Sequence, residues 1–247
     1  MFISFFKRIF GFSKSESIRI LMYHSVYPKS MDIQNVLTVT SENLEEQLKY
    51  IKKKYNTLFF KELENNKSLK NKLILTFDDG YYNNLQYLIP LLEKYQLKAT
   101  ICIPTDYIQK NEGNTERNFM SFNEIKSLNP EFVEIALHSH FHKNYSQLTL
   151  AEAEADIRQN IEILEQKQID FTKILVYPYG KFPKENQKKK EFFKILESLG
   201  IIAALRIGNA VESYPWKNKF EVKRIDIKGG DSFKMFKMKL KLGKIKL

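Results

Sequence analysis

Short apolar runs alternate along the chain with longer segments of helical period. Seven of these runs have the length of buried strands, and they are Ile18–Val26, Lys72–Phe77, Lys98–Ile103, Phe132–Leu137, Lys173–Tyr177, Ile201–Ile207 and Glu221–Ile227. Strands that alternate with helices are typical of a parallel sheet. The pattern therefore predicts an α/β fold whose sheet is either closed into a barrel or open and doubly wound.

Two helices are predicted in the first half of the chain. The first follows the cap candidates Thr40 and Ser41 and carries apolar residues at spacings of four, three and four up to Tyr55. The second covers Tyr82–Gln96, where Pro90 should kink the helix or mark a late start.

Two more helices are predicted in the second half. Thr149 and Glu152 have the spacing of a capping box, which predicts a helix that continues to about Gln168. A further helix is predicted over Glu185–Leu199, because Gly200 is a natural residue to follow a helix C-terminus.

Three polar groups stand directly after three different predicted strands: Asp78-Asp79-Gly80, His138–His142 and Pro178-Tyr179-Gly180. In a closed parallel barrel the carboxyl ends of all strands surround one mouth, so a barrel would bring the three groups together. The length of 247 residues suits one such domain. We predict this domain at residues 18–230, between an apolar and basic N-terminal segment (1–17) and a basic C-terminal tail (231–247).

The net charge of +11 is concentrated at the C-terminus, since residues 234–247 contain six lysines and no acid. Apolar residues interleave with these lysines, so the tail could lie on anionic lipid or be a solvated tail, and the two interpretations have similar weight. The aromatic N-terminus could also contact lipid. Nucleic acid is disfavoured because the core lacks a recognition motif, and the sequence does not indicate an oligomeric state.

The sequence indicates a cytoplasmic or peripheral membrane location. Residues 1–10 are apolar but contain two cations, so they lack the uninterrupted apolar stretch of a secretory signal and are too short to span a bilayer. The single cysteine, Cys102, lies in an apolar run and is expected in the core, which excludes a disulfide framework.

Asp78 and Asp79 place adjacent carboxylates at a predicted strand end. Such a pair is stable when a cation neutralises one carboxylate while the other stays ionised for proton transfer. The sequence therefore predicts a metal ligand beside a general base. Two solvated acids in an Asx-type turn are the alternative.

His138-Ser139-His140-Phe141-His142 holds three of the four histidines of the chain. His138 and His142 are four residues apart and would face the same way on a helical turn, and imidazole is a favoured ligand of zinc. One aspartate and two histidines would leave coordination positions open for water and substrate, as in catalytic metal sites. His140 could support the ligands from outside, face substrate or be solvated, and we favour the last two over ligation.

Two further groups stand at predicted strand ends. His24 ends the first run and could reach the same mouth, although a lone histidine is more often a satisfied polar residue. Tyr179 lies between a proline and a glycine, so its backbone N–H could stabilise an oxyanion; an ordinary aromatic turn is the alternative.

These motifs resemble those of the NodB-type polysaccharide deacetylases, which are metal-dependent deacetylases of carbohydrates. The resemblance extends from about Arg19 to Asp226. It implies that Asp78 is the catalytic base, that Asp79, His138 and His142 bind a divalent metal, with zinc expected, and that Tyr179 supplies the oxyanion amide.

The chain departs from the usual family pattern in two places. The arginine that orients the base in many members does not precede Pro178, so Arg224 or Arg206 is a candidate substitute. No histidine follows His142 to serve as the acid. The stretch Leu21–His24 is similar to the start of a circularly permuted subgroup that acts on bacterial exopolysaccharides, which implies His24 as the acid and a distorted (β/α)7 TIM-like barrel as the fold.

The predicted activity is hydrolysis of N-acetyl groups on the amino sugars of a cell-envelope glycan. The alternatives are a deformylase of a lipid-linked amino sugar, a catalytically silent barrel that binds glycans, and a membrane or nucleic-acid adaptor that acts through the tail. Release of formate rather than acetate would identify the first, and metal binding without acyl release the second. Loss of function on deletion of residues 234–247 would identify the third.

Overall fold

A computed structural model describes residues 16–33, 35–113 and 117–243. The strands are β1 (Glu16–Tyr23), β2 (Ser25–Tyr27), β3 (Thr38–Thr40), β4 (Asn56–Thr57), β5 (Lys72–Asp78), β6 (Ala99–Ile103), β7 (Val133–Leu137), β8 (Thr172–Val176), β9 (Ala203–Ile207), β10 (Glu212–Tyr214) and β11 (Val222–Asp226). The α-helices are α1 (Ser41–Lys54), α2 (Ile89–Tyr95), α3 (Thr105–Asn111), α4 (Phe122–Ser127), α5 (Leu150–Gln166), α6 (Asn186–Ser198) and α7 (Phe233–Leu242).

Seven of these strands form a closed parallel barrel in the order β1-β5-β6-β7-β8-β9-β11. β1 closes the ring, because Leu21 pairs with Leu75 of β5 on one side and with Ile225 of β11 on the other. The prediction of a (β/α)7 barrel is confirmed, and each of the seven predicted runs overlaps one barrel strand. The open, doubly wound sheet was the wrong alternative.

The helix signals in the sequence are borne out at residue level. The Thr40 side chain caps α1, and Thr149 and Glu152 form the predicted capping box of α5. The helix predicted over Tyr82–Gln96 begins at Tyr82 and is continuous to Tyr95, so Pro90 does not mark a late start. A π-helical turn over Asn84–Leu88 stands directly before the proline, which is where the helix departs from regular α geometry.

Side chains alternate between two apolar layers along the strands. Those that point inward fill the barrel, including Ile20, Ile74 and Cys102, while those that point outward pack against the helices, including Leu75 and Phe77. Cys102 is fully buried, as predicted. The interior is thus a packed core, so a ligand can reach polar groups only at the strand ends.

A buried acid helps to close the amino end of the barrel. Glu134 on β7 accepts hydrogen bonds from the backbone N–H groups of Phe60 and Lys61 at 3.0 and 3.1 Å and from the hydroxyls of Thr100 and Thr172 at 2.8 and 2.7 Å. These bonds hold the 3-10 turn of residues 60–65 under the strands. The carboxyl end of the barrel is therefore the accessible one.

Part of the predicted C-terminal tail is a packed helix. In α7, Phe236 and Leu240 are buried, and the guanidinium of Arg19 donates to the Leu240 carbonyl. Lys234, Lys237 and Lys241 lie on the outer side of this helix. Residues 1–15 of the predicted N-terminal segment and residues 244–247 of the tail lie outside the described residues.

Among the residues that the structure describes, no helix is both long enough and apolar enough to cross a bilayer.

Candidate active site

The two adjacent carboxylates lie at the mouth of the barrel. Asp78 is the last residue of β5 and is 2% exposed, and Asp79 follows with 5% exposure. Asp79 has a φ of 73° and Gly80 a φ of 66°, so the chain turns sharply and aims the two side chains in different directions. A side chain would be strained at the φ of position 80, which explains the glycine. Two solvated acids in a turn are thus the wrong alternative.

Arg224 on β11 holds Asp78 through both carboxylate oxygens. Its two terminal nitrogens donate to Oδ1 at 2.7 Å and to Oδ2 at 2.8 Å, and Arg224 is 1% exposed. Burial raises the pKa of Asp78, but the charge and hydrogen bonds of Arg224, together with the neighbouring His138 and His24, outweigh burial and hold this pKa well below its usual range. Asp78 is therefore ionised at neutral pH and fixed in orientation.

The histidine motif reaches the mouth through a loop, not a helix. Ser139 and His142 have φ values of 70° and 54°, so the prediction that His138 and His142 share a helical turn is wrong. The two left-handed residues reverse the chain twice, which brings the Nε2 atoms of His138 and His142 to 3.2 Å from each other. The Ser139 hydroxyl accepts the His142 N–H at 2.8 Å and fixes the second turn.

Three acceptor atoms converge between these loops. Asp79 Oδ1 lies 3.4 Å from His138 Nε2 and 3.3 Å from His142 Nε2. Nδ1 of His138 bonds to the Val176 carbonyl at 2.9 Å, so this nitrogen carries a proton, and Nε2 is the atom that presents a lone pair when the ring is neutral. Asp79 Oδ1 is buried without a hydrogen-bond partner. A cation between the three atoms would relieve this repulsion.

The size of this triangle fits a small divalent metal ion. Bonds of about 2.0–2.2 Å from zinc to nitrogen and oxygen, meeting at tetrahedral angles, would separate the ligand atoms by about 3.3–3.6 Å. The three observed separations are close to this range. Asp79, His138 and His142 form the one group of acidic, histidine or cysteine side chains among the described residues that meets the geometry of a metal site. Three ligands would leave a coordination position open, as in catalytic zinc sites.

The protonation tendencies of these three groups differ. Burial and the neighbouring His138 lower the pKa of His142 to about 4, so His142 is neutral at pH 7. Burial lowers the pKa of His138, but contact with Asp79 and the charge of Asp78 outweigh it, and the net direction is upward. For Asp79, burial raises the pKa and the two histidines lower it, with a net direction downward.

Two tyrosine side chains lie next to the three proposed metal ligands. The hydroxyl of Tyr107 on α3 lies 3.2 Å from Nδ1 of His142, and this contact directs Nε2 toward Asp79 when the hydroxyl accepts the Nδ1 proton. Tyr81 lies beside Asp79; burial and this negative charge both raise the pKa of Tyr81. Outer contacts of this kind hold metal ligands in orientation.

A buried aspartate on α5 fixes the histidine loop. Asp156 accepts the backbone N–H groups of His140 at 3.3 Å and Phe141 at 2.7 Å, and the Tyr145 hydroxyl at 2.6 Å. Nδ1 of His140 bonds to the Thr105 hydroxyl at 2.8 Å. The prediction that His140 faces substrate or solvent is wrong, since this residue is 3% exposed and helps to anchor the loop.

His24 lies on the other side of Asp78. It directly follows β1, and its Nε2 is 3.8 Å from Asp78 Oδ2, with 13% of the side chain exposed. The structure thus brings the one histidine outside the motif to the same mouth. Its position between solvent and the buried Asp78 suits a group that transfers protons to or from a ligand.

Tyr179 and the two candidate arginines complete the predicted set. Tyr179 has a φ of 58°, and its ring centroid is 4.9 Å from that of His142, so its side chain borders the mouth. Gly180 packs against Ile207, where an added side chain would meet the backbone nitrogen at 2.9 Å. Arg206 donates to the Ile207 carbonyl, whereas Arg224 contacts Asp78.

Sequence reasoning missed the residues that anchor the site loops. Asp156 and Asn160 lie on the same side of α5 as the buried Ile157 and Ile161, and both are buried. Acidic and amide side chains on the apolar face of a predicted helix are a usable signal, because a buried polar group requires a partner. Tyr107 carries no comparable signal in the sequence.

Known proteins resemble this chain in sequence and in fold. The model of the polysaccharide deacetylase family matches residues 65–202. YxkH of Bacillus subtilis (strain 168), a protein named after the same family, is 28% identical over 184 residues, which cover 72% of this chain. The match covers 62% of the length of YxkH.

Two solved structures share the fold. The deacetylase PplD of Streptococcus pyogenes superposes with a TM-score of 0.78 at 19% identity and covers 94% of this chain and 100% of its own. BC0361 of Bacillus cereus, a polysaccharide deacetylase, gives a TM-score of 0.76 at 20% identity and covers 92% of this chain and 69% of its own. At these identities the likeness concerns the fold.

Proposed function

The chain belongs to the polysaccharide deacetylase family, and from this premise we propose that it hydrolyses the N-acetyl groups of amino sugars in a glycan with the help of a divalent metal ion. The observation that carries the proposal is that two neighbouring carboxylates face different groups. Asp78 is held by Arg224, while Asp79 faces two imidazole nitrogens. One carboxylate is thus prepared for proton transfer and the other for cation binding.

Asp79, His138 and His142 would hold the metal, with zinc as the expected ion. When bound, the ion would act as a Lewis acid that polarises the acetyl carbonyl and lowers the pKa of water.

Asp78 is the proposed general base. It would accept a proton from the attacking water, and the bidentate contact with Arg224 would keep its carboxylate in one orientation. As water adds to the acetyl carbon, the carbonyl oxygen gains charge, and the backbone N–H of Tyr179 would donate a hydrogen bond to it. One such donor contributes about 3 kcal/mol to a transition state.

His24 is the proposed general acid. The bond between the acetyl carbon and the sugar nitrogen breaks readily only if the nitrogen is protonated. A protonated His24 beside Asp78 would supply this proton. The products are acetate and a free amino sugar.

The decisive experiment measures acetate released from N-acetylated oligosaccharides. We expect activity with added zinc, loss with a chelator, and loss of at least about a hundredfold in Asp78→Asn, which keeps the metal ligands. A metal titration of Asp78→Asn should still show binding. Activity that withstands both chelation and Asp78→Asn would refute the mechanism, and metal binding without acyl release would favour a silent glycan-binding barrel.

A formyl group on a lipid-linked amino sugar is the alternative substrate. The same assay separates the two substrates by the acid released, formate or acetate.

We also propose peripheral contact between α7 and anionic lipid. The support for it is the outer side of this helix, which carries Lys234, Lys237 and Lys241 with the exposed Met238 and Leu242. Co-sedimentation with vesicles that contain phosphatidylserine, compared with neutral vesicles, tests this contact. Equal retention on both would refute it.

A further inference from the structure

A pocket lies on the outside of the barrel, between α1 and α7. Its volume is about 420 Å³, which is within the range of about 300–1,000 Å³ of small-molecule sites. Among the described residues that line it, four are cationic and none is acidic. The cations are Arg19 of β1 and Lys234, Lys237 and Lys241 of α7. A lining of this charge suits an anionic ligand.

Arg19 is the partly buried cation of the pocket, and it is fixed in orientation. Its Nε atom donates to the Leu240 carbonyl, and its guanidinium carbon lies 5.7 Å from the centre of the Tyr55 ring. No described residue accepts a hydrogen bond from its two terminal nitrogens. Two such nitrogens of one guanidinium match two oxygens of a phosphate group, because the planar fork donates two parallel hydrogen bonds. The arginine is thus oriented for an oxyanion before one arrives.

The three lysines of the pocket have no acidic partner among the described residues. The lysine of α7 that forms an ion pair is Lys239, which contacts Asp231. Lys237 instead lies 4.7 Å from the centre of the Phe233 ring. Like charges around one pocket repel each other, and an anion in the pocket would relieve this repulsion.

Two tyrosine side chains complete the lining on the side of α1. The Tyr50 ring packs edge-on against Phe233 and Phe236 of α7, with ring centroids 5.8 and 6.4 Å away. The hydroxyls of Tyr50 and Tyr55 have no hydrogen-bond partner among the residues that the structure describes. A phenolic O–H group donates a hydrogen bond, so both hydroxyls can add donors to a bound oxyanion.

We propose that this pocket binds a phosphate group, with Arg19 as the bidentate partner. The phosphate can belong to a soluble small molecule or to a lipid headgroup, since the recognition is the same. The pocket goes beyond the lipid contact proposed for the outer side of α7, because that contact does not need Arg19.

The pocket is separate from the candidate active site. Arg19 stands five residues before His24, which directly follows the same strand, and this is about 16 Å at the rise of a β-strand. The inference therefore does not depend on the proposed hydrolysis.

The test measures binding of inorganic phosphate by calorimetric titration. The wild-type protein should show a saturable site, and Arg19→Lys should weaken binding roughly tenfold although it keeps the charge, because lysine cannot make the paired contact. Lys237→Gln, at an exposed position, should weaken binding about threefold, as expected for one exposed cation. Lys194→Gln is the matched control, since Lys194 is exposed on α6 and its loss changes the net charge by the same amount. Dependence on Arg19 also separates this pocket from phosphate held at the barrel mouth.

A second measurement identifies the source of the phosphate. Co-sedimentation compares phosphatidylcholine vesicles with and without phosphatidic acid, for the wild type and for Arg19→Lys. Binding that depends on Arg19 supports the pocket with either probe: dependence with vesicles alone assigns a lipid headgroup, and dependence with inorganic phosphate alone assigns a soluble ligand. If neither probe depends on Arg19, or if Lys194→Gln weakens binding as much as Arg19→Lys does, the attraction is diffuse and the pocket is overturned.

Discussion

Asp78 and Arg224 are 146 positions apart in the chain, and both oxygens of the aspartate accept hydrogen bonds from the arginine inside the barrel. Arg224 also donates to the hydroxyl of Thr76 at 2.9 Å, which in turn donates to the Leu21 carbonyl at 2.7 Å. The carboxylate is thus tied to the two strands that meet β1. Its orientation depends on the closed ring.

Arg224→Gln should destabilise the fold by about 3–5 kcal/mol, because it leaves a buried carboxylate without its partner. Urea unfolding at pH 7 measures the loss. Arg206→Gln, which removes the other candidate arginine, should cost about 0.5 kcal/mol or less. Since the pKa of Asp78 is depressed in the fold, its contribution is full above the ordinary aspartate pKa of about 3.9. The difference between Arg224→Gln and the wild type should therefore shrink only as the pH falls below about 4.

Removal of a proposed metal ligand should abolish stabilisation by zinc. A ligand at about a hundred times its Kd stabilises the folded state by about 2.7 kcal/mol. Asp79→Asn should no longer gain this stabilisation from zinc. Thermal unfolding with and without zinc measures the effect. His24→Gln should keep the increment while it lowers turnover; an equal loss in both variants would contradict the assignment of roles.

Tyr107→Phe should weaken zinc binding roughly tenfold, because Nδ1 of His142 loses the hydroxyl at 3.2 Å. Competition with a chromogenic chelator gives the affinity directly, without an activity assay. Tyr82→Phe is the control, since the Tyr82 hydroxyl contacts Arg117. If both variants bind zinc as the wild type does, Tyr107 has no part in orienting the ligand.

Asp156→Ala should cost about 3 kcal/mol or more, because two backbone N–H groups and the Tyr145 hydroxyl lose their acceptor. The loop that carries His138 and His142 should then bind zinc more weakly. Urea unfolding and a metal titration measure the two effects. Asp170→Ala, at an exposed position, should change neither. A stable Asp156→Ala protein with unchanged zinc affinity would show that the loop does not depend on this carboxylate.

Phe236→Ala should cost about 3–5 kcal/mol, because Phe236 of α7 is fully buried against the barrel. Chemical unfolding checks this cost. Met238→Ala, on the exposed side of the same helix, should cost about 0.5 kcal/mol or less. Similar small losses in both variants would mean that α7 is a dispensable tail.

The strands and the main helices could be predicted because local signals determine them. Thr149 with Glu152 and the apolar stripe of α5 need no distant partner. The path of the histidine loop could not be predicted, because Ser139 and His142 adopt left-handed conformations in a loop that is anchored through His140 to the distant helices α3 and α5. The choice of Arg224 over Arg206 likewise depends on which residue of a strand points inward, and a single-residue shift in register reverses it.

Closure of the ring and orientation of the Asp78 carboxylate depend on the same strand, β11. β1 pairs with β5, which is the next barrel strand along the chain, and with β11, which is the last barrel strand along the chain. A nascent chain that ends before residue 222 can hold Asp78 and the whole metal donor set, yet it has no arginine to orient the aspartate. The strand that closes the ring therefore also supplies the arginine partner of Asp78, so a chain without β11 lacks both.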